Sequence, residues 1–276
     1  MSEIAHPSPQ VHAAAPNGRG ARLARQIVAV VLSIAFWQWA SRTHLNLHLF
    51  TYANVPAPTD VAQSLWSLLH SPKLAQHVTS SLLRVFSGFA IAALVGVGLG
   101  LAIGRSRIAE DLLLSPLEVL RPIPAVAWIP LAVLMFPSSE GSMIFITFIG
   151  ALFPILLNTI HGVEHVDARL IASARSLGST RRALFAEIIL PAAAPSIVTG
   201  LAIGMGTAWF CLVTAEMISG QFGIGYYTWE SYTVQNYAAI VVGMLVIGLF
   251  GMGSSALIRA AARVLMPWQR VRKESK

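Results

Sequence analysis

Residues 85–103, 142–160, 191–215 and 237–258 form four stretches without one charged side chain. Each is long enough to cross a bilayer, because a hydrocarbon core of about 30 Å takes about 20 helical residues. Lipid offers the backbone no hydrogen-bond partners, so spans of this length must be helices. Two weaker candidates lie at 26–41, which is short, and at 122–139, which is rich in proline. Together they predict an all-α, polytopic membrane protein with about six transmembrane helices, near 26–41, 85–103, 115–136, 142–160, 191–214 and 237–258. Composition agrees: 11% of residues are charged and 55% hydrophobic, against roughly 25% charged in soluble domains.

Charge asymmetry orients the spans. Of the nineteen Lys and Arg residues, all but Arg42, Lys73 and Arg84 fall on one side of this arrangement. The positive-inside rule places that side, with both termini, in the cytoplasm. The net charge of +7 follows from the same bias, so nucleic-acid binding is not expected. The single Cys211 excludes an internal disulfide. Residues 1–22 are expected to be a disordered cytoplasmic tail, and they lack the cleavage site of a signal peptide. Residues 23–265 are expected to be the membrane domain, with its core at 80–262, and residues 266–276 a basic cytoplasmic tail.

Between the spans, residues 55–60 read as a turn, with Thr59 or Asp60 capping a helix through about His70. Val61, Leu65, Leu68 and Leu69 would make its apolar face. Gly96, Gly100 and Gly104, and again Gly200 and Gly204, set small residues on one helical stripe for close packing. Pro122, Pro124 and Pro130 should break the third span. Broken helices at membrane depth occur where they are buried in protein or line a wet cavity. Pro124, Trp128, Asn158, Thr207 and Trp209 are the pathway-lining candidates. No carboxylate pair sits in mid-span, which argues against an ion-coupled carrier. The Gly-rich run 96–100 lies inside an apolar span and is no dinucleotide loop. The eight His residues show no metal spacing, and His161 and His165 are placed for headgroup contact. Glu216 either pairs locally or meets a partner at the outer surface.

The most informative polar segment is the loop 163–190. Val166, Leu170, Ala174 and Leu177 share a stripe on a helix over 167–177. Gly178 fits a left-handed cap. Ser179 or Thr180 can start a second helix through Ile189, and Pro191 would mark the start of the fifth span. Arg169, Arg175, Arg181 and Arg182 make this knob basic, suited to an acidic groove or to lipid headgroups.

Gly178, nine further residues and then Ile188-Ile189-Leu190-Pro191 resemble the cytoplasmic signature of permease subunits of bacterial ATP-binding-cassette (ABC) importers. The Glu-Ala-Ala triplet of that signature falls on Ala172-Ser173-Ala174, so its Glu is absent. The resemblance covers about residues 55–265. It includes Pro56 and Pro58, Ser81-Leu82-Leu83-Arg84-Val85 and Gly88-Phe89. Phe153–Thr159, Ala215-Glu216-Met217-Ile218 and Gly223–Trp229 make the chain similar to the nitrate/sulfonate/taurine branch.

The resemblance implies a type I ABC importer permease fold with a cytoplasmic coupling helix. Asp167, Leu170, Ala172, Ser173, Ala174, Leu177, Gly178, Arg181, Arg182, Leu190 and Pro191 would form the ATPase-coupling loop. The implied partners are two copies of an ABC ATPase subunit, a second permease copy and a periplasmic or lipid-anchored substrate-binding protein, in a bacterial inner membrane. ATP hydrolysis would belong to the separate subunit, and no catalytic residue, metal or cofactor is expected in this chain. The alternative is a stand-alone secondary transporter of a small solute.

Overall fold

The computed structural model describes residues 19–48 and 51–268. The expectations for most of the N-terminal tail and for residues 269–276 lie outside the described residues. No strand forms among the described residues. The helices are α1 (Arg19–Arg42), α2 (Pro58–Leu69), α3 (Lys73–Arg105), α4 (Arg107–Leu120), α5 (Ala125–Met135), α6 (Ser139–Glu164), α7 (Ala168–Ser176), α8 (Arg181–Ser219), α9 (Ile224–Thr233) and α10 (Tyr237–Leu265).

Five of them, α1, α3, α6, α8 and α10, are long and apolar enough to cross a membrane. The α4–α5 pair makes a sixth if it is counted as one bent span. Helix α1 begins at Arg19, inside the stretch assigned to the tail.

The chain divides into two compact units, residues 1–62 and 63–276. In the first, Arg42 Nη2 bonds Thr59 Oγ1 and Asp60 Oδ1, each at 2.9 Å. Asp60 Oδ2 also accepts from the Ala57 amide at 3.3 Å, at the start of α2. Helix α2 thus begins one residue before the expected caps, and Asp60 acts from inside its first turn. Val61 and Leu68 are buried, whereas Leu69 faces outward.

The second unit is built on α6, which packs between α3 and α8. Lipid tails are as apolar as Leu, so packing rather than hydrophobicity must join helices in a bilayer. Gly88, Ala92, Gly96, Gly100 and Gly104 form one stripe of α3 against α6. A Cβ at Gly88 would lie 2.7 Å from Ile144 O, and one at Gly100 2.6 Å from Thr159 Cβ. Gly200 and Gly204 do the same on α8, where added carbons would meet Asn158 and Ile155. Met143, Ile146, Ile155, Met205 and Leu212 fill the resulting core.

The third span is broken, as its prolines predict: α4 and α5 meet at 83°. The bend falls at 121–124, where Pro122 and Pro124 remove backbone donors. Pro191, expected at the start of the fifth span, lies inside a continuous helix. Residues 184–189 form a π-helical turn, with the Leu190 amide bonded to Phe185 O, and the helix runs unbroken to Ser219. The wider turn carries the chain past a residue that has no N–H to give. Helix α3 starts at Lys73, twelve residues before the charge-free run.

Candidate functional site

Two assemblies stand out, one at each end of the helices. The first is the knob at the Arg-rich end. Asp167 caps α7 by accepting from the Arg169 amide at 2.8 Å. Gly178 has φ +81°, in the left-handed region that glycine adopts without penalty. Its N–H bonds Arg175 O at 3.0 Å, and the Ser179 amide bonds Ala174 O at 3.1 Å. This double closure is the Schellman motif. Thr180 then caps α8, accepting from the Ala183 amide at 3.2 Å.

The root of the knob is apolar. Val166 and Ala174 are buried with Val163, Leu184, Ile189, Ala193 and Ile197. The Arg105 guanidinium lies 5.7 Å from the centre of the Phe185 ring, tying α3 to α8. The expected four-residue stripe splits. Val166 and Ala174 face the root, but Leu170 is 53% and Leu177 87% exposed. A nine-residue helix has no room to bury all four against one neighbour. Ala172, Ser173, Arg181, Arg182 and Leu190 are also exposed, and Pro191 is half-buried. Arg169, Arg175, Arg181 and Arg182 form no ion pair among the described residues. The knob thus presents two bare leucines beside four unpaired guanidiniums.

The second assembly was not anticipated as a unit. Arg84 of α3 is 3% exposed and Glu216 of α8 is fully buried. Arg84 Nη1 donates to Glu216 Oε1 at 2.9 Å and also to Phe222 O. Ser81 Oγ donates to Glu216 Oε1 at 2.8 Å and accepts from the Ile224 amide at 2.9 Å. Glu216 Oε2 accepts from the Gly225 amide at 2.9 Å, and His77 Nδ1 accepts from the Gly223 amide at 3.1 Å. On the far side of Arg84, Nε donates to Glu140 Oε2 at 2.7 Å and Nη2 to Glu140 Oε1. Glu140 lies in the first turn of α6, and its side chain is 61% exposed.

Both oxygens of the buried carboxylate and all three nitrogens of the guanidinium thus have partners, as burial of charge requires. Glu216 takes the local pairing of the two roles open to it. The sequence signal was available in part. Ser81–Val85, Ala215–Ile218 and Gly223–Trp229 were noted separately, and the fold brings all three together here.

The pathway candidates do not share one surface. Pro124 is exposed at the α4–α5 bend, and Trp128 is half-buried beyond it with its Nε1 buried and unpartnered. Asn158 Nδ2 donates to Pro154 O at 2.8 Å within α6. Thr207 Oγ1 donates to Gly150 O at 2.8 Å, the carbonyl that Pro154, lacking an N–H, leaves free one turn on. Trp209 is enclosed between α8 and α10, its Nε1 bonded to Ser254 Oγ at 2.9 Å. Asn158, Thr207 and Trp209 thus each bond a polar group inside the protomer. Among the described residues no three His, Cys, Asp or Glu side chains gather as metal ligands.

A bundle of helices long enough to cross a membrane, with a capped knob at its Arg-rich end, is the architecture of a membrane transport subunit. Residues 72–271 match the family described as binding-protein-dependent transport system inner membrane component, and the chain belongs to that family. It is similar to the nitrate import permease protein of Synechocystis sp., with 32% identity over 89% of this chain and 90% of that one. A permease protein of Escherichia coli whose description names aliphatic sulfonates is 35% identical over 85% of this chain and 88% of its own. The bicarbonate transport system permease protein of Synechococcus elongatus is 37% identical over 63% of each. The chain is accordingly a membrane-embedded ABC permease of the nitrate/sulfonate/bicarbonate branch.

Proposed function

We propose that the chain forms, with a second copy of itself, the translocation pathway of an ATP-driven importer for a small anion such as nitrate, a sulfonate or taurine. Two ABC ATPase subunits bind at the loop 163–190, with Leu170, Leu177 and the capped turn at Gly178 seated in their grooves. Asp167, Ala172, Ser173, Ala174, Arg181, Arg182, Leu190 and Pro191 complete that loop. A substrate-binding protein delivers the anion to the opposite, Arg-poor face. The knob and both termini lie in the cytoplasm of a bacterial cell, and ATP is hydrolysed by the partner subunit.

One observation carries this reading: Leu170 and Leu177 stand exposed on a helix whose other face is fixed to the bundle. Exposed apolar groups beside unpaired cations suit a docking site for another protein. Closure of the ATPase pair would draw two such knobs together and bias the pathway between its two facings. The names of the relatives support an oxyanion as the substrate class. Residues Pro124 and Trp128 at the α4–α5 bend are the pathway positions we retain.

The test is co-purification of the chain with its candidate ATPase, followed by flux measurements in vesicles. Leu170→Asp with Leu177→Asp should abolish both complex formation and ATP-dependent nitrate or sulfonate uptake. An intact complex in that variant would refute docking at the knob, and uptake without ATPase or binding protein would favour a stand-alone carrier.

A further inference from the structure

We infer that the Arg-poor end of the bundle carries a binding site for a small amphoteric head, an oxyanion joined to an amine. The site is a cavity of about 300 Å³ lined by Leu68, Ser71, Lys73, His77, Tyr227, Glu230, Ser231 and Val234. Its floor is His77, only 5% exposed. His77 Nδ1 accepts the Gly223 amide proton, so the neutral ring must carry its own proton on Nε2. That nitrogen has no hydrogen-bond partner among the described residues. A nearly buried ring therefore holds one fixed donor free on the wall of a cavity.

The charges beside it point the same way. Lys73 and Glu230 line the same cavity, yet they form no ion pair with each other. Neither the Lys73 ammonium nor the Glu230 carboxylate has a hydrogen-bond partner among the described residues. An oxyanion can bridge the Lys73 ammonium and the His77 Nε2–H, since charge-assisted bonds favour that pairing. An amine on the same molecule can reach Glu230. Leu68 and Val234 supply the apolar wall that such pockets use around a few convergent polar groups. The volume suits a compact ligand rather than an extended one. Its chemistry can come from a free aminoalkyl oxyanion or from the phosphoethanolamine head of a membrane lipid, since α3, which carries Lys73 and His77, is long and apolar enough to cross a membrane.

The full chain in phosphatidylcholine nanodiscs, free of ethanolamine lipid, should bind O-phosphoethanolamine in titration calorimetry. Lys73→Gln and Glu230→Gln should each weaken that binding roughly tenfold, as loss of one charge-assisted bond does. Both side chains are exposed and unbonded, so the unfolding midpoint should not move. Mass spectrometry of protein purified from native membrane separates the sources. Retention of phosphatidylethanolamine by the unaltered chain, and its loss in both variants, assigns the lipid head. Binding of the soluble compound without retained lipid assigns a free solute. Equal binding by all three proteins, or no binding together with no retained lipid, overturns the proposal.

Discussion

Arg84 and Glu216, on different helices and 132 residues apart in sequence, are buried against each other with Nη1 and Oε1 at 2.9 Å. The pair closes the end of the bundle where α3, α8 and α9 converge. Removal of Arg84 leaves the buried Glu216 carboxylate with only the neutral donors Ser81 and Gly225, and removal of Glu216 leaves the buried Arg84 with the half-exposed Glu140 as its one counter-charge.

Arg84→Ala and Glu216→Ala should each destabilise the protomer by about 3–5 kcal/mol, the usual result of stranding a buried charge. Glu140→Gln should cost under ~1 kcal/mol, because its partly solvated bond to Arg84 is screened. Thermal unfolding in detergent orders the three variants. A loss for Glu140→Gln as large as for Glu216→Ala would show that the half-exposed arm carries the cluster.

Small residues give a second contrast, between Gly100 and Gly98 on the same helix. A Cβ at Gly100 collides with Thr159 Cβ at 2.6 Å, whereas nothing lies within 4 Å of one at Gly98. Gly100→Ala should lower stability by about 1–3 kcal/mol through forced separation of α3 and α6. Gly98→Ala should be neutral or stabilise by up to ~1 kcal/mol through helix propensity. Equal effects would remove close packing as the reason for the stripe.

At the knob, Gly178 isolates backbone conformation from crowding. No atom lies within 4 Å of a Cβ placed there, yet φ is +81°. Gly178→Ala should therefore cost about 1–2 kcal/mol from the left-handed backbone alone, and Gly178→Asn less, because Asn tolerates that region. Gly178→Val should cost the most and uncouple ATP hydrolysis by the assembled complex from uptake. Uptake and ATPase coupling that stayed normal in Gly178→Val would exclude the turn from the transmission of force.

Cysteine labelling tests the membrane-depth assignments. In a Cys211→Ala background, Pro124→Cys and Trp128→Cys should react with a small aqueous thiol reagent, and Trp209→Cys should not. Cys211 itself, 4% exposed, should stay unlabelled in the folded chain. Rapid labelling at position 209 would mean that α8 and α10 part in the membrane.

The residues that were legible in the sequence are those whose role is local. Gly178 and Thr180 occupy the caps their chemistry suggests, and the four charge-free runs lie within α3, α6, α8 and α10. The residues that misled are those whose partners are distant. Residues 73–84 fall outside the span expected near 85–103 because hydropathy counts a charge as solvated. In the fold, His77, Ser81 and Arg84 are bonded to Gly223, Ile224, Glu216 and Glu140, so α3 extends through them. Thr207 bonds the carbonyl freed by Pro154, which no periodicity reports. That the helix continues through Pro191 depends on a backbone pairing between Leu190 and Phe185, which is equally invisible in the sequence. For the ion cluster, each part was visible in its own segment, and only their convergence was not.

Helix α8 joins the two assemblies, since Arg181 stands at the knob and Glu216 in the ion cluster, on one helix without a break. At 1.5 Å per residue the two are about 50 Å apart. Under the proposed docking at the knob, a rod of that length, held at the far end by a buried charge and along its middle by the glycine-lined contacts with α6, would act as a lever. A small tilt applied at Arg181 would then reach the opposite end of the bundle, with those contacts as the fulcrum.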